Sequence, residues 1–276
     1  MKIQEKIKKL NKEIDKLLII HYSCESLSDN NEGYSPRITS IAVQHLESTT
    51  AHSFSFHIIA EEEKIDFENI ETRYDFIEEK MLDKFYAFVS KHTNHNWLHW
   101  KMKNISYGFE ALEHRYKVLS GKNAPIIPDT KRFNLSSLTT GTYGKNCVDS
   151  PKMKNLMKLN NEDDRHFLYG IEEIEAFKNK KYFELHQSTL CKVNWFGKMF
   201  IKLTKRKIKI QHYNLLDKVN NCIESPLGKL ISFMSVLVTL WTGFDTIQKQ
   251  YFNENSRTYP TLHLAHKLTL EIDSNK

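Results

Sequence analysis

The segment "KHTNHNWLHW" places His92, His95 and His99 within eight residues, and imidazoles at that density suit a transition ion such as zinc. The same segment reads as a turn running into a strand, so these three rings are not expected to share one face. Further along, "KLTKRKIKIQHY" gathers Lys202, Lys205, Arg206, Lys207 and Lys209 into about two turns of a helix. Two readings of this run stay open: a solvated helix face, or a patch centred on Lys205, Arg206 and Lys207 that contacts phosphates. Trp97, Trp100, Tyr107, Phe109 and Tyr116 crowd one stretch. Most such rings belong to a core, whereas Trp100 and Tyr107 suit a cleft in which single-stranded bases stack, at about 1–3 kcal/mol each. A glycine-rich phosphate loop, GxSxG and HExxH are all missing from the sequence, which sets aside a P-loop ATPase and a serine hydrolase.

The elements that must position these residues can be read from periodicity. Strands are expected at Leu17 to Cys24, Ile38 to His45 and His52 to Ile59, the last from the alternation of Phe54, Phe56 and Ile58. "RYDFIEEKMLDKFYAFVSKH" sets Phe76, Met81, Phe85 and Phe88 close to one helical face. "NHNWLHW" follows as a fourth strand and "SYGFEALEHRYKVL" as a helix, and "APIIPDTKRFNLSSL" is a short fifth strand turning into a helix. The order βββαβαβα implies an α/β fold whose mixed sheet is flanked by helices, with three antiparallel strands on one side and parallel strands reached by helical crossovers. That is the ribonuclease H-like arrangement.

From about Leu17 to Phe177 the chain resembles the DEDD superfamily of 3'-5' exonucleases. The motifs that carry the likeness occur in order. Ser23-Cys24-Glu25-Ser26 at the end of the first strand is similar to Asp-x-Glu-Thr. In "HWKMKN", His99 stands five residues before Asn104. Asp129-Thr130 resembles an Asp-Thr strand end, and "MKNLMKLNNEDDRHFLYGIEEIEAF" resembles the last motif.

The resemblance implies that Ser23, Glu25, Asn104 and Glu173 occupy the four acid positions, two of which are no longer acidic. It implies Mg2+ or Mn2+ held by Glu25 and Glu173, with neutral oxygens of Ser23 and Asn104 and a further carboxylate from Glu172 or Asp129. In the family two such ions stand about 3.5–4 Å apart, one activating water and the other stabilising the leaving oxygen; with two acids replaced, the resemblance implies a single ion here. His166 and Tyr169, seven and four residues before Glu173, are the two candidates for the group that positions that water. The implied function is an exonuclease-like protein that processes or binds single-stranded DNA or RNA. The loss of two acids raises the alternative of a catalytically inactive nuclease-fold module acting as an interaction or regulatory subunit.

Composition bounds the setting. A formal charge of +6 allows an anionic partner without requiring one. Cys24, Cys147, Cys191 and Cys222 form no CxxC pair, which argues against a zinc ribbon and a disulfide framework and fits a reducing cytoplasm. The Lys-, Asn- and Ile-rich composition is compatible with an AT-rich bacterial genome, where nuclease folds occur in defence and repair systems. Residues 1–16 read as an amphipathic helix with Ile3, Ile7, Leu10 and Ile14 on one stripe, unlike a signal peptide. The nuclease-like domain is expected over 17–180 and a helical assembly domain over 181–276. In the latter, Leu230, Phe233, Leu237, Leu240, Phe244, Ile247 and Tyr251 recur at spacings of three and four, the seam of a helix that packs on another helix. This seam is expected to serve a homo-oligomer or a partner chain. Membrane association is not favoured, because the 15 uncharged residues between Lys229 and Asp245 reach only about 22 Å as a helix, against a hydrocarbon core of about 30 Å.

Overall fold

A run of eight residues, "LLIIHYSC", forms β1 (Leu17–Cys24) and is buried along its whole length. A strand so covered must have an apolar layer on each face, and its side chains sort by the period of two. Leu18, Ile20 and Tyr22 enter one core with Ile77, Met81 and Phe85, while Leu17 and Ile19 enter a second with Phe196, Met199 and Phe200.

The structure, a computed structural model, describes residues 2–25, 36–102, 107–162, 165–212 and 226–258. It divides into two units, Met1–Tyr213 and Asn214–Lys276. In the first, β1 is the centre of a five-stranded mixed sheet of order β3-β2-β1-β4-β5. β2 (Ile38–His45) lies antiparallel to β1, and β3 (Ala51–Ser55) lies antiparallel to β2. β4 (Asn96–His99) runs parallel to β1, and β5 (Arg132–Asn134) parallel to β4. Helices flank the sheet: α1 (Ile3–Lys12), α2 (Phe56–Glu62), α3 (Tyr74–Lys91), α4 (Phe109–Ser120), α5 (Leu135–Tyr143), α6 (Lys152–Leu159), α7 (Gly170–Lys178) and α8 (Tyr182–Thr204). The expected α/β class and mixed sheet are present.

Three expected boundaries move. The third strand stops at Ser55 and α2 begins at Phe56, because Phe56, Ile59 and Ala60 are the buried residues and that spacing belongs to a helix; the alternation of Phe54 and Phe56 satisfied both periods. α1 is no separate N-terminal element, since Ile7 and Leu10 are buried in the second core. The α/β unit also does not end near residue 180, because α8 lies across β1 and β2 and fills that core. Gly197 allows the close approach: a Cβ there would lie 3.0 Å from Ile19 Cδ1 and 3.2 Å from Leu46 Cδ1.

The second unit contains α9 (Pro226–Thr258), a single helix of 33 residues and about 50 Å. Within it, Gly228–Tyr251 is long and apolar enough to cross a membrane. The length expected from the uncharged run alone was too short because the helix does not stop at Asp245, whose carboxylate accepts from Lys249 Nζ one turn later at 2.7 Å. The hydroxyls of Thr239, Thr242 and Thr246 donate to carbonyls of the preceding turn.

α8 is fastened to β2 by a buried polar pair, His186 Nδ1 and Ser40 Oγ at 2.7 Å. Burial, reinforced by the neighbouring His57, pushes the His186 imidazole down to about 4. The folded state therefore holds this ring neutral, while the unfolded chain protonates it near 6.5. Its contribution is complete above pH 6.5 and is lost as pH falls toward 4. Urea titrations are expected to show a lower unfolding free energy at pH 4 than at pH 7, and His186→Gln to reduce that difference by about 3 kcal/mol. An unaltered difference in the variant would assign the acid sensitivity to other groups.

Candidate functional site

β1 carries His21 and Ser23 at alternate positions on the side where α8 passes. His21 meets the edge of Phe196 with ring centroids 5.7 Å apart, and Ser23 Oγ lies 3.0 Å from Thr189 Oγ1. Ser23 Oγ also donates to Glu173 Oε1 at 2.7 Å, and the same carboxylate oxygen accepts from Lys192 Nζ at 2.5 Å. Glu173 reaches this point from the first turn of α7, Lys192 from the middle of α8. The connection into α7 is held against α8 by Leu168 N–H donating to Ser188 Oγ at 2.9 Å, and Tyr169 N–H donates to Glu172 Oε2 at 2.7 Å.

Lys192 and Glu173 are both buried. Burial pushes the lysine down from its ordinary range and Glu173 opposes that shift. The ammonium also lies 5.0 Å from the centre of the Phe167 ring, a favourable placement for a cation. On the other side of the strand end, the Tyr107 ring stacks on Tyr22 at 4.5 Å. Its hydroxyl donates to the Tyr22 carbonyl at 3.0 Å and lies 3.2 Å from His21 Nδ1. With the phenol proton committed to the carbonyl, the oxygen accepts from His21 Nδ1–H, so Nε2 bears the lone pair. Burial, then Lys192, hold the His21 imidazole well below its ordinary value, and burial holds the Tyr107 phenol well above its own. His21, Ser23, Tyr107, Glu173 and Lys192 line a cavity of about 350 Å³, together with Lys101 and mostly aromatic and aliphatic side chains.

The residues singled out in the sequence are distributed unevenly about this cavity. Ser23, Trp100, Tyr107, Tyr169 and Glu173 line it. Trp100 is 5% exposed and stacks on Phe196, so it serves chiefly as core. Glu25 is engaged elsewhere: Arg37 Nη1 donates to its Oε2 at 3.1 Å. The same guanidinium donates to Asp75 and faces Glu78 of α3, and Glu78 is fully buried in a two-pronged contact with Arg115. Asp129 stands at a second cavity of about 330 Å³ with His99 and Arg132, paired with Arg132 at 3.2 Å. His166 is exposed and does not line the first cavity. Lys205, Arg206 and Lys207 are exposed beyond the end of α8, whose last turn holds Lys202, so most of the basic run is a loop where a helix face was expected. Asn104 lies outside the described residues.

The residues present do not fit a two-metal centre. A divalent ion at Glu173 would have to displace an ammonium and a hydroxyl already bonded to that oxygen, and Glu25 is neutralised by Arg37. Among the described residues, no three His, Cys, Asp or Glu stand in coordinating geometry. The sequence reading missed Lys192, Thr189 and His21. A signal for Lys192 was available, because it falls on the same stripe of α8 as the buried Leu185, Thr189, Phe196 and Met199, where a lysine is costly unless paired. Comparisons with protein-family models, curated proteins and solved structures find no match for this chain.

Removing one member of a buried ion pair strands the other. Lys192→Met is therefore expected to lower the unfolding free energy by about 3–5 kcal/mol, and a second change, Glu173→Leu, to restore much of that loss. Denaturant titrations of the single and double variants check this. A double variant no more stable than Lys192→Met would mean that the pair does not act as a unit.

Proposed function

We propose that the first unit is a ribonuclease H-like module in which metal-dependent phosphoryl transfer is silent, and that the chain acts as an interaction or regulatory subunit in the cytoplasm. The strand order β3-β2-β1-β4-β5, with three antiparallel strands followed by parallel strands reached by helical crossovers, supports the fold. The observation that carries the functional reading is the Lys192 ammonium bonded to Glu173 Oε1: a fixed organic cation occupies the charge position that the exonuclease resemblance reserves for an exchangeable Mg2+ or Mn2+. An ammonium offers no open coordination position, so it neither lowers the pKa of a bound water nor bridges two phosphate oxygens. Ser23, in place of the first acid, completes the substitution by donating to the carboxylate it would otherwise repel.

A second reading, binding of single-stranded DNA or RNA without cleavage, is favoured by the exposure of Lys205, Arg206 and Lys207. Phosphate contacts at that run would appear as a steep fall of affinity with salt. Purified protein incubated with Mg2+ or Mn2+ and labelled single strands is expected to leave them intact. Cleavage that disappears in both Glu25→Gln and Glu173→Gln would overturn the silent-module reading and restore the exonuclease.

The attachment surface in this reading is α9. Leu230, Phe233, Leu237, Leu240, Trp241 and Phe244 are among its exposed apolar side chains, and at 3.6 residues per turn the apolar positions cover more than half the circumference. Such an arc is wider than one coiled-coil seam. It is covered by helices of further copies or of a partner chain. Leu237→Glu with Leu240→Glu is expected to yield a smaller oligomer or the loss of a copurifying chain, as read by light scattering. Wild-type protein that sediments with membranes and resists carbonate extraction would overturn this reading and make α9 a membrane anchor.

A further inference from the structure

At the end of the sheet opposite Ser23, the fold brings together two pairs of histidines that the sequence keeps far apart, His45 and His52 with His92 and His95. His45 closes β2, where it pairs with Leu18 at the start of β1, and His52 opens β3. His92 ends α3. The turn after it, closed by His95 N–H donating to the His92 carbonyl at 3.0 Å, returns His95 to the same place. Ring centroids are separated by 5.3 Å for His45 and His92, 4.7 Å for His92 and His95, and 6.0 Å for His45 and His95. His52 lies 5.3 Å from His45. Imidazoles bound to one tetrahedral ion at the usual metal–nitrogen distance have centroids about 5 Å apart.

We propose that His45, His92 and His95, with His52 beside them, form a transition-metal site that clips the β2–β3 hairpin to the turn between α3 and β4. Three observations support it besides proximity. His92 Nδ1 lies 2.8 Å from the Phe88 carbonyl, which can only accept, so the ring carries its proton there and presents Nε2 with a free lone pair. A backbone carbonyl on the second nitrogen is the arrangement that orients metal-binding imidazoles. Phe88 also stacks on His92 at 3.9 Å and holds the plane of that ring. Finally, His95 Nδ1 is buried without a hydrogen-bond partner, a state that calls for a ligand.

The four rings are partly exposed, which gives an ion a route in. The rings do not yet converge on one point; rotation about their side-chain bonds closes the set when the ion enters. Imidazole donors favour Zn2+, Co2+, Ni2+ or Cu2+ over Mg2+ or Ca2+. His99, which the sequence grouped with His92 and His95, is not a member. It is buried, and its Nδ1 accepts from Met102 N–H at 3.0 Å.

The test uses full-length protein without a histidine tag, titrated with Zn2+ by calorimetry and with Co2+ by visible absorption. Wild type is expected to take up one equivalent of each, with cobalt d–d bands of a low-coordinate nitrogen site and a raised melting temperature in Zn2+. His45→Gln and His92→Gln should each weaken Zn2+ binding about tenfold or more, and the pair together should abolish it. His166→Gln, on the exposed connection into α7, should bind as wild type does. Circular dichroism without metal verifies that the variants are folded, and His95→Gln stands in for either one that is not. Folded wild type that takes up neither ion at millimolar concentration, or uptake unchanged in the double variant, overturns the site. Neither result bears on the silent-module reading, which rests on Glu173 and Lys192 at the other end of β1.

Discussion

β1 is covered on both faces, and most of what is distinctive in the first unit follows from that coverage. A strand with no route to water cannot end in polar side chains unless other elements bring partners to them, because an unpaired polar group in such a place costs on the order of 1–3 kcal/mol. β1 nevertheless ends His21-Tyr22-Ser23-Cys24. Tyr107, Glu173 of α7 and Thr189 of α8 meet His21 and Ser23, and Lys192 of α8 meets Glu173. The cavity is the space left where these contributions converge.

A buried lysine-carboxylate pair is a poor device for stability, since desolvation of both charges consumes most of their attraction. It is an effective device for fixing α7 against α8, because each charge tolerates only the geometry that keeps the other paired. The Glu78 and Arg115 pair does the same between α3 and α4, and Arg37 extends it to Asp75 and Glu25. Two separate polar networks thus take up the two carboxylates that the exonuclease resemblance would bring to one metal centre. Glu25 and Glu173 are both present in the sequence; each is already neutralised by a side chain of opposite charge.

The two ends of β1 differ in chemistry because they differ in exposure. At the Ser23 end the polar groups are deeply buried, and they are matched by charge. At the Leu18 end, His45, His52, His92 and His95 stand at the rim, partly exposed and close together. At the Ser23 end the Glu173 carboxylate is satisfied from within the chain while His21 Nε2 is buried without a partner; the proposed metal satisfies the other end from outside.

The sequence by itself determined the α/β class and the mixed sheet flanked by helices, because these follow from apolar periods of 2 and 3.6 that can be counted in any window. It also showed Ser23 and Asn104 where the exonuclease resemblance would place acids. It did not place the end of β3, where Phe54 and Phe56 serve both periods, nor the membership of α8, whose amphipathic stripe shows that it packs without showing on what. Only the tertiary structure decided which charges meet. Lys192 lies 19 residues from Glu173, and His45 is separated from His92 by a strand and two helices, so neither contact leaves a trace in local spacing. Electrostatic pairing and metal-binding geometry depend on distances between elements, and those are fixed by how α7, α8 and the β2–β3 hairpin pack on the sheet.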